Sequence, residues 1–295
     1  MLDVLCVGHA SYDISMALSH HPEPDEKSFA DAMQLAGGGP AANAAVCVSR
    51  LGGVAGFCGY LGNDLFGEAH VREFRAEGVE ISNLVRGEDA TPVSQILAKP
   101  DGHRSVVNYK GDSVFLEPDA VSISERPKVL LFDGHEPLLS LPLCRWAKEQ
   151  GIITVLDAGS LHQGTRELTT EVDYLVASET FARHCCETDD LTIALHRLSK
   201  HCEHVVITQG DAGLIWNCNG ETGAMDAFNV DVVDSTGAGD AFHGAFALAL
   251  ARDMVWSELL CFASAAGALT CTRLGARCGL PNRGTMNDFL ETVHA

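Results

Sequence analysis

Residues 129–159 read VLLFDGHEPLLSLPLCRWAKEQGIITVLDAG. The run Val129 to Phe132 is apolar without alternation, as a strand buried on both faces requires, and it stops at Asp133-Gly134. Leu139 to Gly151 is too long for a strand, carries Arg145 and Lys148 among apolar residues, and closes on glycine, the pattern of a helix with its stop signal. Ile153 to Leu156 then repeats the strand, and a further helix and DYLVASE at 173–179 repeat the pair. This alternation predicts an α/β fold, a three-layer α/β/α sandwich whose mostly parallel central sheet is covered by helices on both faces. Ligands of such sheets collect outside the carboxyl ends of the strands, so Asp133 to Glu136 and Asp157 to Gly159 are expected to face a cleft.

A chain of 295 residues that is 46% hydrophobic can bury a sizeable core, as one large domain or two smaller ones. Forty acidic against twenty basic residues give a formal charge of −20, which repels nucleic acid and anionic membranes and excludes both as expected partners. No apolar run reaches membrane-spanning length. Eleven cysteines without a CxxC pair, and no charged-then-apolar leader, point to a reduced cytoplasm. A zinc reading of His184, Cys185, Cys186, His196, His201, Cys202 and His204 fails on spacing, and histidines at a helix end answer the helix dipole without metal.

Residues 232–250 read VVDSTGAGDAFHGAFALAL. The alternation of Phe228, Val230 and Val232 predicts a strand, Asp234 to Asp240 a tight turn, and the Ala-rich remainder a buried helix. The first N–H groups of that helix lack intrahelical partners and sit at the positive end of its dipole, so the turn can hold an anion. A carboxylate at that spot would compete with a phosphate unless it has chemical work. Phosphoryl transfer supplies it, with Asp240 taking the proton of an attacking hydroxyl and the Gly237, Ala238 and Gly239 amides forming the anion hole. The plain alternative is a capping Asp beside a structural turn. His243, one turn on, reads as a core or cleft residue.

The string DSTGAGDAFHGAF at 234–246 resembles the C-terminal signature of the ribokinase-like (PfkB) sugar kinases, and AGGGPAANAA at 36–45 resembles their N-terminal one. The consecutive glycines of the latter do not fit the GxGxxG spacing of a dinucleotide site. The resemblance implies one ribokinase-like kinase domain over residues 1–295, with lid strands from about 12–35 and 91–110 that close over the sugar. It implies ATP and Mg2+ as cofactors, a small-molecule sugar as substrate, and a homodimer formed through the lid. Leu2 to Val7 predicts a first strand with Asp13 near its end. The resemblance makes Asp13, Gly38, Gly39 and Asn43 the sugar grip; a loop carboxylate and a capping Asn are the bland readings. Val93 to Lys99 and Ser105 to Tyr109 flank Pro100-Asp101-Gly102-His103-Arg104, a hairpin signal that builds the lid with a strand near Ala30 to Leu35. Asn108 and Arg104 become the lid's substrate contacts, although Arg104 also suits bare surface.

On the nucleotide side the resemblance points to Ser178, Thr208, Gly210 and Gly213. The usual Asn-x-x-Glu string is replaced by Ser178 to Phe181, leaving Glu179 to assist magnesium through water. A monovalent cation, K+, would be held near Asp234 and Thr236. The bacterial sulfofructose kinases are a similar subgroup, in GGGPAA, in VDVVDSTGAGDAFHGA and in CTRLGARCGLP, and imply a ketohexose as acceptor, neutral or bearing an anionic group. Where that subgroup has an Arg this chain has His135, so a tightly held sulfonate is not assured. A nucleoside kinase and a non-catalytic ligand-binding homologue are the alternatives.

Overall fold

A computed structural model describes residues 1–99, 104–111 and 115–294. Its strands are β1 Val4–Val7, β2 Ser11–Ala17, β3 Ala32–Gly38, β4 Ala55–Gly62, β5 Glu80–Gly87, β6 Val93–Ala98, β7 Arg104–Tyr109, β8 Val129–Phe132, β9 Ile153–Ala158, β10 Tyr174–Ser178, β11 His204–Thr208, β12 Leu214–Cys218 and β13 Glu221–Met225. The helices are α1 Pro40–Arg50, α2 Leu65–Ala76, α3 Pro137–Glu149, α4 Gln163–Leu168, α5 Glu179–Cys186, α6 Leu191–Leu198, α7 Ala238–Ala251, α8 Trp256–Thr270, α9 Ala276–Gly279 and α10 Arg283–His294.

The large sheet runs β13-β12-β11-β10-β9-β8-β1-β4-β5, parallel from β11 to β5 and closed on one side by the antiparallel β12 and β13. Successive side chains on a strand point to opposite faces, and β1 shows the result. Val4 and Cys6 enter a core with α1, α7 and α8, whereas Leu5 and Val7 enter another with α3 to α6. Each Leu or Val so buried stabilises the fold by roughly 1.5–3 kcal/mol, which is why these strands carry no polar side. In α7 every residue from Ala241 to Ala251 is buried, between α1 and α8. Small side chains make that fit possible: a methyl on Gly244 would lie 2.7 Å from the Ala44 carbonyl oxygen.

A second sheet, β3-β2-β6-β7, stands over the carboxyl edge of the first as a lid. β2 and β6 bury alternate residues, while β7 is exposed at every position. The expected hairpin forms, with Ala98 opposite Arg104; its turn residues Pro100 to His103 lie outside the described residues.

Three expectations need correction. Asp13 is not at the end of the first strand: the chain breaks after Val7 and re-forms as β2, so Asp13 belongs to the lid. The lid strand placed near 30–35 runs from Ala32 to Gly38, because pairing with β2 continues through its glycines. No strand precedes the glycine turn. The N–H groups of Val233 and Asp234 donate to the Cys271 carbonyl at the end of α8, so this segment is pinned to a helix end instead of a sheet, leaving Val232 and Val233 about half exposed at 52% and 48%.

Candidate active site

Gly237 caps α7 with φ 79°, a left-handed backbone that favours glycine, and a methyl there would meet the Ala276 Cβ at 2.4 Å. Asp234 braces the turn. Its Oδ1 accepts from the N–H and hydroxyl of Thr236 at 2.9 and 2.6 Å, and its Oδ2 from the Gly275 N–H at 2.8 Å. Both oxygens therefore brace the loop itself, and the expected cation role of Asp234 and Thr236 would fall to the carbonyls of this segment. The Ala238 N–H reaches the Ser235 carbonyl at 3.3 Å, a long bond, and nothing lies within 4 Å of where a Gly239 side chain would project. The turn is thus open beside Gly239.

Asp240 is half-buried on the first turn of α7, and its Oδ2 accepts from Asn43 Nδ2 at 2.7 Å. Burial pushes its carboxyl above the ordinary range, and the Asn43 bond pulls it back. Asn43 is not a cap. It is 2% exposed, inside α1, with its side chain crossing to α7. Asp13 is held by the Ser11 hydroxyl at 2.8 Å, and burial raises its carboxyl as well. A methyl on Gly38 would lie 2.1 Å from that carboxyl carbon, so glycine is what lets the two strands close around Asp13. From the lid, Arg104 Nη1 donates to the Ser235 hydroxyl at 2.6 Å, spanning from β7 to the catalytic turn. Asn108 is exposed on the same strand.

Around these residues gather the strand-end groups expected at the cleft, Asp133, His135 and Asp157, joined by His9 and His162, which no sequence pattern singled out. Asp133, at the end of β8, accepts from the His9 and Ala41 N–H groups through Oδ2 and from the His135 N–H through Oδ1. His135 lies between two other rings, His9 at 5.2 Å and His162 at 4.6 Å between centroids. Burial, with His135 beside it, draws His162 down to about 4 and His9 well below its usual value. Asp157, at the end of β9, is raised well above the carboxylate range by burial, then by Asp240 and Asp133. His243 packs against it, buried, with Nδ1 3.2 Å from Asp157 Oδ2 and 2.5 Å from the Gly239 carbonyl oxygen.

Toward the other half of the edge, Ser178 and Thr208 are register partners at the ends of β10 and β11. Ser178 caps α5 by accepting from the Phe181 N–H at 3.0 Å and donates to the Gly159 carbonyl at 2.7 Å. Phe181 is fully buried in the core with α3 to α6, which explains why no carboxylate stands there. Glu179 pairs with Arg183 at 3.0 Å. Gly210 borders open space, whereas a methyl on Gly213 would strike the Met225 carbonyl oxygen at 2.1 Å, so hairpin packing alone demands that glycine. Among the described residues no three His, Cys, Asp or Glu side chains gather as a metal site, and no helix is long and apolar enough to cross a membrane.

A closed lid, a glycine turn heading a buried helix and a carboxylate at its first turn define a phosphotransferase of the α/β class. The chain belongs to the pfkB family of carbohydrate kinases, whose model matches residues 1–283, and it is an ATP-dependent carbohydrate kinase. It is 28% identical to the ribokinase of Haemophilus influenzae over 97% of each chain, and 30% identical to fructokinase-1 of Zea mays over 89% of this chain and 90% of that one. Among solved structures it is similar to a putative ribokinase from Agrobacterium tumefaciens, with TM-score 0.91, 26% identity and coverage of 99% and 98%. A putative ribokinase II from E. coli in complex with ATP and Mg+2 shares the fold, with TM-score 0.87, 20% identity and coverage of 99% and 100%.

Proposed function

We propose that this kinase transfers the γ-phosphoryl group of ATP to a hydroxyl of a ketohexose, with Asp240 as general base. The observation that carries the reading is the Asn43–Asp240 pair at 2.7 Å, at the mouth of a turn that opens beside Gly239. Asp240 accepts the hydroxyl proton as the oxygen attacks phosphorus, the bond to the β-phosphate oxygen breaks, and ADP leaves. The N–H groups of Gly237, Ala238 and Gly239 meet the charge on the transferring group. Asp13, Gly38, Gly39 and Asn43 hold the sugar, with Arg104 and Asn108 closing from the lid. Ser178, Thr208, Gly210 and Gly213 line the nucleotide side.

Magnesium keeps several waters and needs few protein ligands, which suits a site without a gathered donor cluster. Glu179 would hold it through water, and the ion would neutralise phosphate charge when bound. The substrate end remote from the reacting hydroxyl falls to His135 and its neighbours. Burial keeps His9 and His162 neutral, with the charge of Lys110 lowering both further, so that wall offers hydrogen bonds to hydroxyls beside one fixed positive charge. The neutral ketohexose reading is supported by the fructokinases among the relatives. We also propose that the exposed outer strands β3 and β7 pair two copies through their lids.

The test is ADP release with magnesium ATP over ketohexoses, aldopentoses, sulfofructose and nucleosides, beside Asp240→Asn. Turnover on a neutral ketohexose that the variant lowers by about 10²–10⁴-fold supports the reading. Turnover confined to nucleosides would replace it.

A further inference from the structure

Arg277, on α9, is 3% exposed. Burying a guanidinium is costly unless it is paired, and well-packed apolar residues brace a fold at least as well, so its placement calls for a cause beyond stability. Its Nε donates to Asn43 Oδ1 at 3.2 Å, its Nη1 lies 3.2 Å from Glu73 Oε1, and its Nη2 3.3 Å from His70 Nε2. The guanidinium also rests 5.9 Å above the Phe74 ring. Glu73 reaches further, accepting the Gly37 N–H of lid strand β3 at 2.6 Å through Oε2.

Asn43 has one acceptor and one donor end, and here each has a partner, with one N–H and one lone pair left for the sugar. Arg277 can only donate, so it takes the amide oxygen; the ionised Asp240 can only accept, so it takes the amide nitrogen. With the amide reversed, the oxygen would face the carboxylate and the NH2 group would face the guanidinium, two repulsions at once. The orientation follows from the partners' chemistry.

We infer that Arg277 is a positioning residue for phosphoryl transfer, fixing the Asn43 amide in the orientation that donates to Asp240 and, through Glu73, tying that orientation to the seat of lid strand β3. The inference rests on Asp240 as the base. Arg277 touches neither the reacting hydroxyl nor the phosphoryl group; it acts through Asn43.

The test is a double-mutant cycle in the full-length kinase, with Arg277→Met, Asn43→Ala and the double variant, read by kcat, KM for both substrates and kcat/KM against pH. Each single variant is expected to lower kcat by about 10–100-fold with KM for ATP within about threefold, and the double variant to be no slower than Asn43→Ala alone. Arg277→Met is also expected to move the acid limb of kcat/KM upward in the parent but not in the Asn43→Ala background, whereas a shift through Asp13, whose ionised form the Arg277 charge also favours, would appear in both. Arg277→Lys keeps the charge and loses the planar fork, so it should fold and still lose kcat; it takes the place of Arg277→Met in the cycle if the latter does not bind ATP. Multiplicative losses in the double variant, or an unchanged kcat with an unchanged acid limb, overturn the inference while an inactive Asp240→Asn leaves the base standing. An Asp240→Asn variant with most of its turnover overturns both.

Discussion

The Nδ2 of Asn43 and the Oδ2 of Asp240 lie 2.7 Å apart, joining α1 to the first turn of α7. Burial favours the neutral acid and the amide donor favours the carboxylate, and a general base is useful only in the second form. The pair therefore offsets the burial that keeps water from the reaction.

Its sign can be tested by pH. Asp240 sits above the ordinary carboxylate range, so kcat/KM should fall as pH drops through its raised value. Asn43→Ala removes a bond that lowers this pKa, so the acid limb should move to higher pH. A limb that stays in place would detach Asn43 from the base.

Arg104 bonds the lid to the turn before α7, 2.6 Å from the Ser235 hydroxyl. A lid protects ATP from water while the sugar waits. Arg104→Ala should raise KM for the sugar several-fold and raise the ratio of ATP hydrolysis to sugar phosphorylation, measured by ADP and sugar phosphate released together. Unchanged coupling would return Arg104 to the surface charge its exposure allows.

The legible parts of the sequence were those with periodic or punctuated signals. Apolar runs ending in Asp-Gly or Ala-Gly marked β8 and β9, and DSTGAGD marked the turn before α7. β5 escaped because EISNLVRG, on an edge and half-buried, is polar enough to read as loop; β13, ETGAM, did so for the same reason. Arg277 was illegible in kind. In CTRLGARCGLP an arginine between small residues looks like surface, and only the acceptor Glu73, one helical turn from His70 on α2, hints at a buried partner. Burial of a cation is set by what folds over it from elsewhere in the chain, which no local pattern contains.

All six positions of β7 are exposed, Val107 and Tyr109 among them, and unpaired edge strands of this kind invite a second chain. If the lids pair, the 31.4 kDa chain should run at about twice its mass by light scattering, and Val107→Lys should return it to monomer with sugar KM raised. A wild-type monomer across micromolar concentrations would remove the dimer.

Asp157 links the site to stability. Burial, Asp240 and Asp133 together raise its carboxyl well above the ordinary value, so the folded chain holds a proton there that the unfolded chain has already released. Stability is then unaffected below the unfolded pKa near 4 and declines as pH rises from there toward the raised folded value, because the unfolded state binds fewer protons across that window. Asp157→Asn keeps the shape and the polar contact with His243 but cannot ionise. Its melting temperature should therefore equal the parent's near pH 4 and exceed it increasingly as pH rises toward the raised folded value of Asp157. The opposite slope would mean that Asp157 is ionised in the folded state and paired with a charged His243, reversing the assignment of the proton between them.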